Sequence, residues 1–246
     1  MIVDFMERYG SKWVAAGLGI ACIVVTAWML NASTFNVKTV ILDRDDASSP
    51  ALLDEQALLT DLGWVKGQNV FRLNTAAITA QIEAVPSVQW AYASVGIDGE
   101  VRVSISYRKP VANWTVGGKS FLVGGSAILL AEGHDGSLPL TIQETARTSA
   151  QVGDYVNPEA LDAAYKLHQN LPIMGVVPAT ISYSATSGLV VCDASDREIL
   201  FGPPEYLMAK FIALKAVLDD AARQGEQLQQ IDLRPMGRPT YKVRED

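Results

Sequence analysis

The sequence predicts an α+β protein that begins with one membrane-spanning helix. Three observations support this fold class: a long uncharged apolar run near the start, short alternating segments bounded by turn residues, and amphipathic helices between those segments. Of the 246 residues, 49% are hydrophobic and 19% are charged, which excludes a disordered chain and a multi-span membrane protein. A net charge of -7 argues against sequence-independent nucleic-acid binding, because that binding needs a basic surface.

The uncharged run covers residues 13–30, WVAAGLGIACIVVTAWML. As a helix it is about 27 Å long, close to the roughly 30 Å hydrocarbon core of a bilayer. Trp13, Trp28 and Leu30 mark its ends, where indole rings favour the membrane interface. We therefore predict a single transmembrane helix after a short cytoplasmic tail (residues 1–12), with the rest of the chain outside the cytoplasm. A cleaved signal peptide and a buried core helix are the alternatives.

Residues 35–110 predict a small β-α-α-β-β domain. The segment FNVKTVIL alternates as a strand does, and Asn74 suits the N-cap of the second helix. Two further alternating strands are joined through Asp98-Gly99, a favoured hairpin pair. Two helices packed on one face of a three-stranded sheet would bury the apolar positions of this segment.

Residues 111–246 predict a mainly antiparallel β domain that contains a long amphipathic helix and ends in a strand. Glycine-rich, strand-like runs with frequent turns indicate the antiparallel sheet. Gly225 suits the position just after the helix. The apolar stripe of the helix consists of Leu207, Phe211, Leu214, Leu218 and Ala221.

No motif predicts an enzyme, a cofactor site or a metal site. The stretch Gly117-Gly118-Lys119-Ser120 is similar to the end of a phosphate-binding loop, but strand-like residues follow it where a helix is required. We predict a hairpin turn there. Cys192 is predicted to be an ordinary small apolar side chain in a strand, and His168 a surface residue near the end of a helix. Two distant histidines do not make a metal site.

The order of these elements resembles the FtsQ/DivIB family of bacterial cell-division proteins. The resemblance covers nearly the whole chain, and the order and spacing of several short motifs carry it. They are FNVKTV at 35–40, GQNVFRL at 67–73, PVANW at 110–114, LFG at 200–202 and IDLR at 231–234.

The resemblance implies a POTRA domain at 35–110, a β domain at 111–246, and a non-enzymatic, single-pass scaffold of the divisome. Such a protein lies in the cytoplasmic membrane at the division septum, binds FtsB and FtsL outside the cytoplasm, and helps to control septal peptidoglycan synthesis. The POTRA domain would contact other division proteins. Two other classes stay open: a POTRA-bearing module of protein export or envelope assembly, and a membrane-anchored envelope enzyme.

The closing stretch, IDLRPMGRPTYKVRED, combines alternation with four cations (Arg234, Arg238, Lys242, Arg244) in an acidic protein. We predict an edge strand to which a partner strand adds through backbone hydrogen bonds. The alternative is that the charges and prolines protect the edge from aggregation. The predicted partner-binding residues are Ile231, Asp232, Leu233, Arg234, Thr240, Tyr241 and Lys242.

Overall fold

The computed structural model describes residues 2–44, 55–235 and 237–244, with the side chains of 15–43, 56–235 and 237–244. The chain contains several helices and two sheets, of three and nine strands, with runs of consecutive strands between the helices, which confirms the α+β prediction. The chain divides into two compact units, residues 1–107 and 108–246, and each has its own hydrophobic core.

The first unit begins with the helix α1, Ile2–Asn31. Within the described ranges, no helix is both long and apolar enough to cross a membrane. The predicted transmembrane helix over 13–30 is therefore not supported by this finding. Of the three predicted anchor residues, Trp28 is 60% exposed, Leu30 is half-buried, and the side chain of Trp13 lies outside the described residues.

The rest of the first unit has the predicted β-α-α-β-β order. After a 3-10 turn at Ser33–Phe35, the elements are β1 (Thr39–Arg44), α2 (Glu55–Asp61), a 3-10 turn at Leu62–Val65, α3 (Thr75–Glu83), β2 (Val88–Val95) and β3 (Glu100–Tyr107). The sheet order is β1-β3-β2, with β1 parallel and β2 antiparallel to β3. Asn74 caps α3 as predicted, because its side chain accepts a hydrogen bond from the backbone N–H of Ala77 at 3.2 Å.

Alternation along β2 and β3 separates a covered face of this sheet from an open one. Val101 and Val103 are fully buried with Ile78 and Ile82 of α3 in the same core. On the other face, Tyr92 is 64% exposed. The helices therefore cover one face, as the apolar pattern predicts.

The second unit is built on a nine-stranded sheet in the order β12-β11-β10-β9-β8-β7-β4-β5-β6. The strands of its first half are β4 (Pro110–Val116), β5 (Lys119–Gly124), β6 (Leu129–Glu132) and β7 (Thr141–Glu144). After α4 (Pro158–Asn170) and a 3-10 turn at Pro172–Met174 come β8 (Pro178–Ser184), β9 (Gly188–Asp193) and β10 (Glu198–Gly202). The chain closes with α5 (Leu207–Gln224), β11 (Leu228–Asp232) and β12 (Thr240–Val243).

Most neighbouring pairs of this sheet are antiparallel, as in the mainly antiparallel domain that the sequence predicts, but the sheet is mixed. Five neighbouring pairs are antiparallel, but β4–β7, β7–β8 and β10–β11 are parallel. For β7–β8 and β10–β11 the physical reason is that α4 and α5 connect the two strands, and a helical crossover returns the chain in the same direction. Within the described residues, no helix connects β4 to β7; the strands β5 and β6 lie between them in the sequence.

Local signals fix several boundaries in this unit. Gly117 and Gly118, at φ of 57° and 82°, form the predicted hairpin turn between β4 and β5. The side chain of Asn157 caps α4 by accepting a hydrogen bond from Ala160 N at 2.9 Å. Gly225, at φ of 71°, follows α5 as predicted.

Candidate functional site

The candidate site is the outer edge of β12, the last strand of the nine-stranded sheet. β12 runs antiparallel to β11, with Ile231 opposite Tyr241 and Asp232 opposite Thr240. Among the described strands, β12 has no neighbour on its other side. Such an edge presents unpaired backbone groups to another chain.

The structure corrects the predicted position of the open edge. Ile231 and Asp232 belong to β11, which is paired with β10 on one side and β12 on the other. Ile231 is fully buried, Leu233 is 2% exposed, and the backbone N–H of Leu233 donates to Leu200 at 2.9 Å. These residues hold the strand pair in place, and the open edge belongs to β12.

The backbone of Tyr241 and Val243 is directed to the open side of β12. Arg244 donates its backbone N–H to the carbonyl of Gln227 at 2.7 Å, toward β11. Backbone groups of successive strand residues point in alternate directions, so those of Lys242 and Thr240 also face β11. The N–H and C=O groups of Tyr241 and Val243 therefore face outward.

The side chains of β12 offer two different surfaces. Tyr241 is half-buried against the core of the unit. The negative charge of Glu226, helped by burial, raises the pKa of the Tyr241 hydroxyl. Val243 is 40% exposed, and Thr240 and Lys242 are exposed. Lys242 lies at a shallow polar recess with Asp196 and Glu198.

Two of the four predicted cations are engaged within the unit. Arg234 donates to both carboxylate oxygens of Asp232, at 2.9 and 2.6 Å, and these hydrogen bonds lower the pKa of the Asp232 carboxyl. Arg244 donates to the backbone carbonyl of Ser195 at 3.0 Å. Arg238 and Lys242 are exposed, and neither forms an ion pair with another described residue. The basic character of the edge therefore rests on these two side chains.

An apolar groove lies beside the edge, and the sequence reasoning missed it. Ile212 of α5 is 68% exposed at this groove, and Met208, one turn earlier on α5, is 73% exposed. The sequence shows small residues on α5, but this pattern alone does not indicate a groove. The groove is lined by Ala209, Lys210, Ile212, Ala213, Ala216, Leu233, Pro235, Gly237 and Pro239.

Lys210 is a buried cation among the residues that line the groove. It is 5% exposed, and its Nζ donates to the backbone carbonyl of Pro203. Burial lowers its pKa, against an opposing effect of the negative charge on Glu205. Lys210 thereby ties the start of α5 to the preceding loop, and the sequence offered no clue to its burial.

The residues considered for chemistry occupy structural positions. Burial, followed by the charge of Asp196, raises the pKa of the Cys192 thiol, which disfavours the reactive thiolate. Lys119 begins β5 after the hairpin turn and lies 3.1 Å from a carboxylate oxygen of Glu132. Across the described residues, no three His, Cys, Asp or Glu side chains come together as a metal site.

Comparison with known proteins relates the chain to bacterial cell-division proteins. No protein-family model matches the chain. The chain is similar to the cell division protein FtsQ of Chloroflexus aggregans and to that of Chloroflexus aurantiacus. Each is 27% identical over 230 residues, which cover 92% of this chain and 80% of the relative. This similarity extends along nearly the whole sequence, as the resemblance of its motifs predicted, and it supports membership of the FtsQ/DivIB family of cell-division proteins.

Proposed function

We propose that this protein is a membrane-anchored, non-enzymatic scaffold of the bacterial divisome that binds FtsB/FtsL-like partners through β12. The observation that carries the proposal is the one-sided pairing of β12, which leaves the backbone groups of Tyr241 and Val243 facing outward. A partner strand adds to this edge by backbone hydrogen bonding. In this way the protein helps to control septal peptidoglycan synthesis.

Side chains around the edge define the chemistry of the partner segment. Arg238 and Lys242 favour an acidic segment, and their charge acts mainly on the rate of encounter and on specificity. The exposed Ile212 and Met208 on α5 offer apolar contact beside the strand. A partner segment with acidic residues near alternating apolar ones fits both features.

Anchoring rests on α1. In the described part of this helix, large apolar side chains are exposed around the axis, among them Leu18 at 63%, Ile23 at 68% and Val24 at 61%. A helix that is apolar all round requires apolar surroundings. We place α1 in the cytoplasmic membrane as a single-pass helix with a cytoplasmic N-terminus, and both units on the other side, at the division septum.

The first unit has the element order of a POTRA domain, and it supplies a second contact region for other division proteins. Its open sheet face carries Trp90 at 39% and Tyr92 at 64% exposure, and aromatic side chains are enriched at protein interfaces.

Charge reversal at the edge tests the partner-binding proposal. We expect Lys242→Glu in the full-length protein to slow association with FtsB/FtsL-like ectodomains by about tenfold at low salt and less at high salt. Lys119→Glu is the matched control, because it makes the same charge change on an exposed residue of the β4–β5 hairpin. Equal association rates for both variants, measured by biolayer interferometry, would contradict partner binding at β12.

Alkaline carbonate extraction of cell membranes tests the anchoring proposal. We expect the full-length protein to stay in the membrane pellet, and a variant that lacks residues 13–30 to be released. Release of the full-length protein would show that α1 does not anchor it.

A further inference from the structure

The end of α1 is joined to a loop of the first unit. The side chain of Asn69 donates from Nδ2 to the backbone carbonyl of Met29 at 2.9 Å. A chain of aromatic contacts runs beside this bond: the rings of Trp28 and Phe35 lie 5.9 Å apart, and those of Phe35 and Phe71 lie 5.3 Å apart, both edge to face. The helix end and the loop therefore form one connected structure.

The loop, residues 66–72, is itself held firmly. Val37 donates its backbone N–H to Gln68 at 2.8 Å, and Val70 donates to Phe35 at 2.9 Å. Val37 and Val70 are both buried in the core of the unit. Because the loop is bonded to the segment that leaves α1, its position relative to the helix end is fixed.

The outer surface of the 66–72 loop combines an aromatic ring with positive charge. Phe71 is 45% exposed, and Lys66 and Arg72 of the same loop are exposed. The loop sequence, KGQNVFR, contains no acidic residue, although the protein as a whole carries a net charge of -7. Exposed aromatic and basic side chains together are the composition of a membrane-interface segment.

We propose that the 66–72 loop lies in the headgroup layer of the bilayer, with Phe71 in the interface and Lys66 and Arg72 on anionic headgroups. Continuity with α1 favours a bilayer over a protein partner, because Phe71 is two ring contacts from Trp28, the last aromatic residue of the apolar run. This inference rests on the proposed anchoring of α1. Its consequence is that the first unit has a fixed orientation on the membrane surface.

Site-directed spin labelling of the full-length protein in vesicles tests this position. The label is attached to Phe71→Cys after Cys22 and Cys192 are changed to serine, and Tyr92→Cys on the open sheet face is the matched control. In phosphatidylcholine vesicles with phosphatidylglycerol, we expect collision with a water-soluble nickel reagent to be about threefold lower at 71 than at 92. If phosphatidylglycerol is left out, we expect nickel access at 71 to rise, because the attraction of the two cations is lost.

The outcomes separate this inference from the anchoring proposal. Protein that does not float with the vesicles overturns both. Protein that floats, with equal nickel access at 71 and 92, overturns the loop position alone. If nickel access at 71 is the same with and without phosphatidylglycerol, the proposed role of Lys66 and Arg72 is overturned. If Phe71→Cys does not fold, nickel access at a label on the adjacent, exposed Arg72 is compared with that at 92 in the same way, and the phosphatidylglycerol comparison then tests Lys66 alone.

Discussion

A proline at the outer edge of β12 tests whether a partner adds to this strand. In Val243→Pro, the lost backbone N–H is one that faces away from β11. The hydrogen bonds between β11 and β12, which involve Lys242 and Thr240 on the inner side, are kept. The substitution therefore blocks pairing on the open side and leaves the strand pair of the protein intact.

The size of the effect follows from the backbone groups that the open edge offers. Tyr241 and Val243 together present four outward groups, two N–H and two C=O. Each hydrogen bond to such a group contributes about 0.5–1.5 kcal/mol. Proline at 243 removes one donor and leaves a carbonyl of the partner strand without its bond, at a cost of about 1–3 kcal/mol. We therefore expect binding of the FtsB/FtsL-like ectodomains to weaken by about 5- to 150-fold.

The assay is a titration of full-length protein with the partner ectodomains, together with urea unfolding of each variant. Lys242→Pro is the matched control, because residue 242 faces inward and its proline removes a donor to β11. We expect Lys242→Pro to lower the free energy of unfolding by about 1–3 kcal/mol, and Val243→Pro to change it much less. Wild-type affinity in a folded Val243→Pro protein would refute the idea that the partner adds as a strand.

Three further predictions concern stability and are checked by urea unfolding. We expect Lys210→Met to change stability by less than about 1 kcal/mol at pH 7, because losing the bond to Pro203 is offset by removing a buried charge. Folding lowers the pKa of Lys210 below its ordinary value of 10.5. Between the folded-state pKa and pH 10.5, the unfolded chain therefore binds more protons than the folded one. Over this pH interval we expect the free energy of unfolding of the wild type to increase relative to that of the variant as pH rises. We expect Asn157→Ala to lower the free energy of unfolding by about 2 kcal/mol: about 1 kcal/mol for the helix cap and about 1 kcal/mol for the hydrogen bond to the buried hydroxyl of Tyr183. Asn157→Asp keeps the cap, so its loss should be smaller. Gly188→Ala should lower the free energy of unfolding more than Gly225→Ala, although both glycines have φ near +70°. At 188 the added methyl group would lie 2.0 Å from the backbone of Gly202, whereas at 225 it meets open space. For Gly225→Ala we expect a loss of about 1 kcal/mol.

The sequence determined the local structure of this protein well. Period-2 alternation gives β3 its buried and open faces, as Val101 and Val103 show. Asn74 and Gly225 are helix-boundary residues, and Gly117-Gly118 is a tight turn, because each of these depends on the backbone preference of one or two residues. Short-range physics decides such features, so a single sequence suffices to predict them.

The resemblance to the FtsQ/DivIB family was also accessible from the sequence. Its motifs are short and individually weak, but their order along the chain is constrained by the fold. Two relatives are similar over 92% of the chain, as expected for a resemblance that extends along nearly the whole sequence.

Only the tertiary structure decided which terminal strand is the edge. Ile231 and Tyr241 both lie in short alternating segments, so the local pattern is the same for β11 and β12. The crossover through α5 brings β11 beside β10 in parallel, and this buries Ile231 and leaves β12 outside. The pairing joins residues more than 30 positions apart, such as Ile199 and Ile231, and no local pattern encodes that choice.

The same non-local packing decided the charges and the groove. Alternation could not reveal that Arg234 is held by Asp232 while Arg238 stays exposed. Nor could it reveal that Lys210 is buried or that the small side chains of α5 border an apolar groove. Sequence thus determined the elements and their faces, whereas the arrangement of neighbours, which depends on contacts distant in the chain, determined which backbone and which cations are available to a partner.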